Sequence, residues 1–127
     1  MYLYSDGSNI GTLLYKVKQE KPKTYNWILQ TIQSIAPYFL DFVLNPNENG
    51  YIEFLWRNKF NEQLYNTYNF SDGTLRFIAL TVLLLQPKLP QTIIIDEPEL
   101  GLHPFAIAKL AGLIKSASQR GCQIIVA

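Results

Sequence analysis

The chain has 127 residues, which is enough for one domain or part of one and excludes a multi-domain machine. Apolar residues make up 48% and charged residues 17%, so the chain should bury a core and is not disordered. The formal net charge of +1 provides no broad field for nucleic acid or an anionic membrane. Cys122 is the only cysteine, which excludes an internal disulfide framework and a thiolate zinc cluster and suits a reducing compartment.

Neither a membrane span nor a signal peptide is predicted. The longest apolar stretch, residues 77–85, is far shorter than the roughly 20 residues that a spanning helix needs. The N-terminus lacks the basic and then apolar order of a signal peptide. We therefore expect a soluble cytoplasmic protein. Because the sequence stops at residues 124–127, inside a predicted strand, we also expect the chain to be part of a larger domain.

The start of the chain is polar. Residues 1–23 carry four lysines near Glu20, and we interpret them as a solvated face rather than a phosphate site. These are Lys16, Lys18, Lys21 and Lys23. Apolar residues then recur with helical spacing over residues 25–36, which predicts a helix capped by Thr24 and ended by Pro37.

Short strands are predicted next. Residues 39–44, 51–56 and 63–70 have the composition and alternation of strands, and a turn-rich segment at residues 45–50 separates the first two. This pattern predicts an antiparallel meander. Aromatic residues are dense in this region, and we interpret them as cross-strand packing rather than as a base-stacking surface.

The second half of the chain has the pattern of an α/β unit. Residues 74–85 are apolar nearly all round, which predicts a buried helix. Residues 92–95 and 123–126 are predicted strands whose aliphatic runs, residues 93–95 and 124–126, are typical of parallel strands with both faces covered. A helix is predicted between them over residues 105–117, with Pro104 at its first position. Strand, helix and strand together indicate a βαβ unit in a parallel sheet.

Two adjacent carboxylates, Asp96 and Glu97, follow the first of these strands. Open α/β sheets bind their ligands at this end of the strands. Adjacent strand residues point to opposite faces, so we expect different roles for the two acids. One is suited to holding Mg²⁺, usually through a water, and the other to orienting a nucleophile. The alternative is that both acids only end the strand.

The segment at residues 70–74 lies directly before the predicted buried helix. Backbone N–H groups and the helix dipole favour an anion at such a position, Ser71 adds a hydroxyl, and Gly73 permits close approach. Taken alone, the segment is also a good helix N-cap. Asp72 would repel a phosphate unless its side chain turned away or capped the helix.

His103 and Cys122 are each the only residue of their type. We interpret His103 as a surface or cap residue, and no second His or Cys lies at a metal-ligand spacing. We expect Cys122 to lie in the core of the sheet rather than to act as a nucleophile.

Residues 71–77 and 92–104 together resemble the ABC-type ATPase heads, and especially the predicted bacterial ATPases related to RecF, the chromosome-maintenance proteins and the OLD nucleases. The resemblance is weaker over residues 6–36. It implies an α/β fold that is the C-terminal part of a P-loop NTPase head. Residues 1–70 would then form a helical and β-meander segment, and residues 71–127 the βαβ unit with its preceding helix.

The resemblance also implies residue roles. Residues 70–74 match the signature loop, which contacts the γ-phosphate of ATP bound to the opposite subunit. Asp96 matches the Walker B acid that supports Mg²⁺, and Glu97 matches the general base that orients the attacking water. Residues 99–103 match the D-loop, which packs across the dimer interface, although His103 replaces the aspartate of many ABC proteins. The matched loop positions are Ser71, Asp72, Gly73 and Thr74, then Glu99, Leu100, Gly101, Leu102 and His103.

An intact protein of this kind would bind ATP and Mg²⁺, form a homodimer through its heads and hydrolyse ATP. The chain alone is expected to be inactive. It has no G-x-x-x-x-G-K-[ST] loop, residues 7–12 lack the required lysine, and the family's switch histidine would follow residues 123–126.

Two other functions stay open at this point. The chain could be a non-enzymatic interaction module with relic head motifs. It could instead belong to an ATP-gated DNA nuclease or effector of the OLD type, which would need a further metal-binding domain. A longer protein could contact nucleic acid, but the charge of these residues does not support such contact.

Overall fold

The computed structural model describes residues 1–4, 7–61 and 63–127. Residue 6, where the weaker resemblance begins, lies outside these ranges. The described residues form four α-helices, five strands and one 3₁₀ helix. In chain order these are α1 (Ile10–Glu20), α2 (Pro22–Ile35), β1 (Phe39–Pro46), β2 (Ile52–Asn58), β3 (Leu64–Tyr65), the 3₁₀ helix (Thr67–Asn69), α3 (Asp72–Leu85), β4 (Thr92–Ile95), α4 (Pro104–Gln119) and β5 (Gln123–Val126).

Helix α1 lies in the segment that we interpreted only as polar, so the sequence analysis missed it. Its buried side chains include Leu13, Leu14 and Val17, which recur with the spacing of one helical face. The four lysines of this region are all exposed, as expected for a solvated face. The Lys18 ammonium lies 5.5 Å from the centre of the Tyr25 ring.

Helix α2 begins at Pro22, two residues before the predicted N-cap Thr24. Pro22 occupies its first turn, and the prediction that Thr24 caps the helix is wrong. Proline suits the first helical position because its φ angle is already helical and its missing N–H would have no partner there. The predicted end is confirmed, since the helix stops before Pro37.

Strands β1, β2 and β3 form an antiparallel sheet in that order, as the meander prediction required. The third strand is shorter than predicted because residues 67–69 form the 3₁₀ helix. The Asn66 side chain accepts a hydrogen bond from the Tyr68 N–H, and the Asn69 side chain accepts one from the Asn66 N–H. Such local side-chain bonds compete with the strand ladder.

The aromatic side chains of the meander pack against one another, which confirms the cross-strand interpretation. The ring centres of Phe42 and Phe54 are 5.0 Å apart, and those of Trp56 and Tyr65 are 4.9 Å apart. Trp56 also stacks on Phe70 at 4.4 Å. Because Phe70 directly precedes Ser71, this stack fixes the meander to the start of α3.

The predicted βαβ unit is confirmed in β4, α4 and β5. The strands are parallel, with Ile93 opposite Ile124 and Ile95 opposite Val126. The expectation of strands covered on both faces is wrong within this chain. Ile93 and Ile95 are each 5% exposed and lie in the core, whereas Ile94 is 71% exposed, so one face of this strand pair is open. Cys122 is buried, as expected.

Buried apolar residues from both halves form one continuous core around α3. The largest fully buried side chains of α3 include Phe77, Ile78 and Leu84. Arg120, at the C-terminus of α4, joins the end of α4 to the end of α3. Its guanidinium donates to the carbonyl oxygens of Leu84, Gln86 and Pro87 at 3.2, 2.8 and 3.1 Å. Within the described ranges, no helix has the length and hydrophobicity needed to cross a membrane.

Replacing Arg120 with Met removes these charged donors from three carbonyl groups. We expect the free energy of unfolding to fall by about 1–3 kcal/mol, as measured by urea denaturation. The control is Arg57→Met, which breaks an exposed ion pair with Asp41 and should cost less than about 1 kcal/mol. Equal losses in the two variants would contradict the structural role of Arg120.

Ionisation of Tyr25 should lower the stability of the fold at alkaline pH. Burial raises its pKa to about 12, and the Asp41 carboxylate adds to the shift. A tyrosine in the unfolded chain ionises near pH 10, at roughly its reference pKa. The folded state therefore holds the proton more tightly, and the stabilisation is complete below pH 10 and is lost as the pH rises toward 12.

Between pH 10 and pH 12, we expect the free energy of unfolding to fall less in Tyr25→Phe than in the wild type. The measurement is urea unfolding at a series of pH values. Tyr68→Phe is the matched control, because Tyr68 is 92% exposed. A Tyr25→Phe variant with the same alkaline loss as the wild type would show that another group is responsible.

Candidate functional site

The first candidate segment forms the start of α3. Ser71 is the N-cap, and its Oγ accepts a hydrogen bond from the Thr74 N–H at 3.1 Å and donates one to the Thr74 Oγ at 2.9 Å. This confirms the N-cap interpretation. The N–H groups of Asp72 and Gly73 lie in the first turn, where a helix offers no internal acceptor. They add to the positive end of the helix dipole.

The carboxylate pair lies beyond the strand. β4 ends at Ile95, and Asp96 and Glu97 occupy a bend with both side chains exposed. Glu97 has a φ angle of 44°, in the left-handed region. The expectation that the two acids alternate across a strand fails at Glu97, because its left-handed backbone ends the extended segment. Asp96 still pairs with Ala127, since the Ala127 N–H donates to the Ile95 carbonyl at 3.0 Å. The Glu97 N–H donates to the carbonyl of Ala127 at 3.0 Å, which ties the bend to the end of β5.

Residues 98–103 form a turn that leads into α4. The Leu100 N–H donates to the Glu97 carbonyl, and the Leu102 N–H donates to the Glu99 carbonyl, each at 3.1 Å. His103 is the N-cap of α4, and its Nδ1 accepts a hydrogen bond from the Phe105 N–H at 3.2 Å. The interpretation of His103 as a cap residue is confirmed.

The start of α3 and the turn at residues 98–103 are in contact. A Cβ atom on Gly73 would lie well inside the contact distance of the Gly101 carbonyl oxygen, so only glycine fits between α3 and this turn. A cavity of about 330 Å³ lies at the same place, and both segments line it. Its lining includes Ser71, Gly73, Thr74, Gly101, Leu102 and His103. The structure therefore joins the segments that the sequence analysis treated separately.

Arg76 is part of this arrangement and was missed by the sequence analysis. One terminal nitrogen of its guanidinium donates to the carbonyl oxygens of Asp96 and Glu97 at 2.9 and 2.7 Å. The signal was present, because Arg76 is the only basic residue in α3. A single cation in an otherwise apolar helix needs a specific partner.

The exposed acids suit Mg²⁺, which prefers oxygen ligands and keeps waters and phosphate oxygens in its shell. Among the described residues, no group of three His, Cys, Asp or Glu side chains could hold a metal ion. Asp96 could therefore hold Mg²⁺ through one carboxylate or a water, with other ligands from the nucleotide. This is the usual arrangement for Mg²⁺ bound to a nucleotide and differs from a dedicated protein cage.

A helix start with free N–H groups, placed beside acids at the end of a parallel strand, is typical of nucleotide-binding α/β proteins. The sequence profile of the family described as "AAA domain, putative AbiEii toxin, Type IV TA system" matches residues 3–127. The chain belongs to this family. Membership indicates a nucleotide-binding, ATPase-type function, and ATPases of this kind generally use ATP and Mg²⁺. No curated protein sequence matches the chain significantly.

The contact between α3 and the turn can be tested with Gly73→Ala. The added methyl group must displace the Gly101 carbonyl, so we expect the free energy of unfolding to fall by about 1–3 kcal/mol. Gly112→Ala is the matched control, because Gly112 lies in α4 with open space around it. That change should stabilise the chain by up to about 1 kcal/mol. If both variants behaved alike in chemical denaturation, the close approach at Gly73 would be refuted.

Proposed function

We propose that the chain is the part of an ABC-type ATPase head that carries the signature loop, the general base and the D-loop. The protein hydrolyses ATP between two such heads. The observation that supports this proposal best is the contact between the start of α3 and the turn at residues 96–101. Gly73 lies against Gly101, and Arg76 donates to the carbonyls of Asp96 and Glu97, so the helix start is joined to the segment that carries the two exposed acids.

The chemistry of the site follows from these groups. The N–H groups of Asp72 and Gly73 are donors for the γ-phosphate of ATP, and the Ser71 hydroxyl becomes a third donor when it rotates away from the Thr74 Oγ. The Glu97 carboxylate accepts a hydrogen bond from the attacking water and orients it. Mg²⁺, supported by Asp96, would neutralise charge on the phosphate oxygens. Residues 7–12 have no part in this site, because they lead into α1 and Gly11 is buried beside Phe54. The proposal therefore requires that the full-length protein supply a separate loop for the other phosphates.

A homodimer explains why both segments are exposed. Each site takes Asp96 and Glu97 from one subunit and the Ser71 loop from the other, which is an isologous two-fold arrangement. Leu100, in the turn after Glu97, is 59% exposed, which favours a partner covering this turn. Residues 99–103 would then pack across the dimer interface.

The carboxylate assignment predicts that Glu97→Gln abolishes hydrolysis without abolishing nucleotide binding. In the full-length protein we expect the rate of phosphate release to fall about 100-fold or more, since a general base contributes that much. ATP should still bind, and the dimer should persist in ATP because it cannot complete the reaction. Glu53→Gln is the control and should stay close to the wild-type rate, because Glu53 is an exposed acid of β2.

The composite site predicts that two inactive variants complement each other. Ser71→Arg should prevent ATP-dependent dimerisation, since a bulky cation replaces the cap. An equal mixture of Ser71→Arg and Glu97→Gln subunits contains heterodimers with one intact site. We therefore expect part of the wild-type rate to return, up to about a quarter, which is the value for random pairing with half the dimers mixed and half their sites intact. A mixture that stays inactive would contradict a site shared between subunits, and ATP-independent dimers would support an interaction module instead.

A further inference from the structure

We propose that Arg76, on α3, is a positioning residue that holds the backbone of Asp96 and Glu97 in its bent conformation. The inference rests on the proposed ATPase function for its kinetic consequence. Its structural part stands on the geometry alone. One terminal nitrogen of Arg76 donates to two backbone carbonyl groups of the segment that carries the acids.

The geometry of the two carbonyl groups is unusual. In a strand, successive carbonyl oxygens point in opposite directions, so one nitrogen cannot bond both. Here the oxygens of Asp96 and Glu97 both accept from the same Arg76 nitrogen, at 2.9 and 2.7 Å. The φ angle of 44° at Glu97 permits this convergence. Arg76 therefore stabilises the bend that carries the acids.

The bend at Glu97 is energetically unfavourable, and the hydrogen bonds from Arg76 offset part of that cost. A left-handed backbone is unfavourable at a residue other than glycine, because the Cβ atom lies too close to the following carbonyl oxygen. Hydrogen bonds from a guanidinium are stronger than those between neutral groups, and more so away from water. The Arg76 Nε is buried with no hydrogen-bond partner among the described groups, so this guanidinium is held beside the bend at the expense of its own solvation.

A second contact acts on the other end of the same turn. Gly73, one turn earlier in α3, lies against the Gly101 carbonyl. Together Arg76 and Gly73 hold residues 96–101 at both ends. The orientation of the Glu97 carboxylate is then determined by α3 as well as by β4. Loss of Arg76 frees the bend while the helix start, the cap and the core of α3 stay in place.

The test compares Arg76→Met with Arg120→Met in the full-length protein. Both changes remove a guanidinium that donates to backbone carbonyls, but Arg120 does so far from the acids. We expect Arg76→Met to lower kcat about 100-fold and to leave the KM for ATP within about twofold, because misplacement of a catalytic group has that effect. Arg120→Met should keep kcat near the wild-type value despite its loss of stability. Arg76→Lys should recover part of the rate.

Amide hydrogen exchange provides a measurement that does not depend on activity. In Arg76→Met we expect faster exchange of the Leu100 and Leu102 N–H groups, and no such change in Arg120→Met. Arg76→Lys serves the same comparison if the Met variant does not fold. Unchanged exchange at these amides, or an unchanged kcat, would overturn the positioning role. Faster exchange in a protein whose wild type hydrolyses no ATP would instead refute the proposed function and leave the structural role of Arg76 intact.

Discussion

A 14-residue helix whose only charged residues are Asp72 and Arg76 cannot stay exposed to water, and the burial of α3 determines much of the remaining fold. Helices α1, α2 and α4 all pack against it. Its two charged residues lie in the first turns, so the apolar body can be buried while the N-terminus stays at the surface. The candidate site lies at that terminus, where Gly73 contacts Gly101 and Arg76 donates to the carbonyls of Asp96 and Glu97.

The regular elements of the second half were predicted well because their signals are local. Aliphatic runs, a proline at a helix start and a glycine after a helix each act over a few residues, and β4, α4 and β5 match their predicted places closely. α1 was missed because its lysines suggested a solvated segment, although its buried residues repeat every three to four positions. The predicted third strand was too long, since the side chains of Asn66 and Asn69 bond to nearby backbone groups.

The candidate site was only partly predictable. The residue types of both segments identified them as chemically important, but their contact depends on the packing of α3 against the turn at residues 96–101. Strand periodicity gave the wrong expectation for Asp96 and Glu97 because it applies only while the chain stays extended. The partners of Arg76 are backbone carbonyls about 20 residues away, and no sequence pattern marks a carbonyl as an acceptor.

At Glu97 the residue that best fits the left-handed backbone differs from the residue that the proposed chemistry requires. Glycine or asparagine would adopt a φ angle of 44° with less strain, so the local backbone favours residues that cannot act as a base. A chain selected for stability alone would tend to lose the glutamate, whereas the proposed chemistry requires it. Inactive variants at position 97 should therefore differ from one another in stability. Glutamine would keep the strain, and glycine would relieve it at the cost of a more flexible unfolded chain.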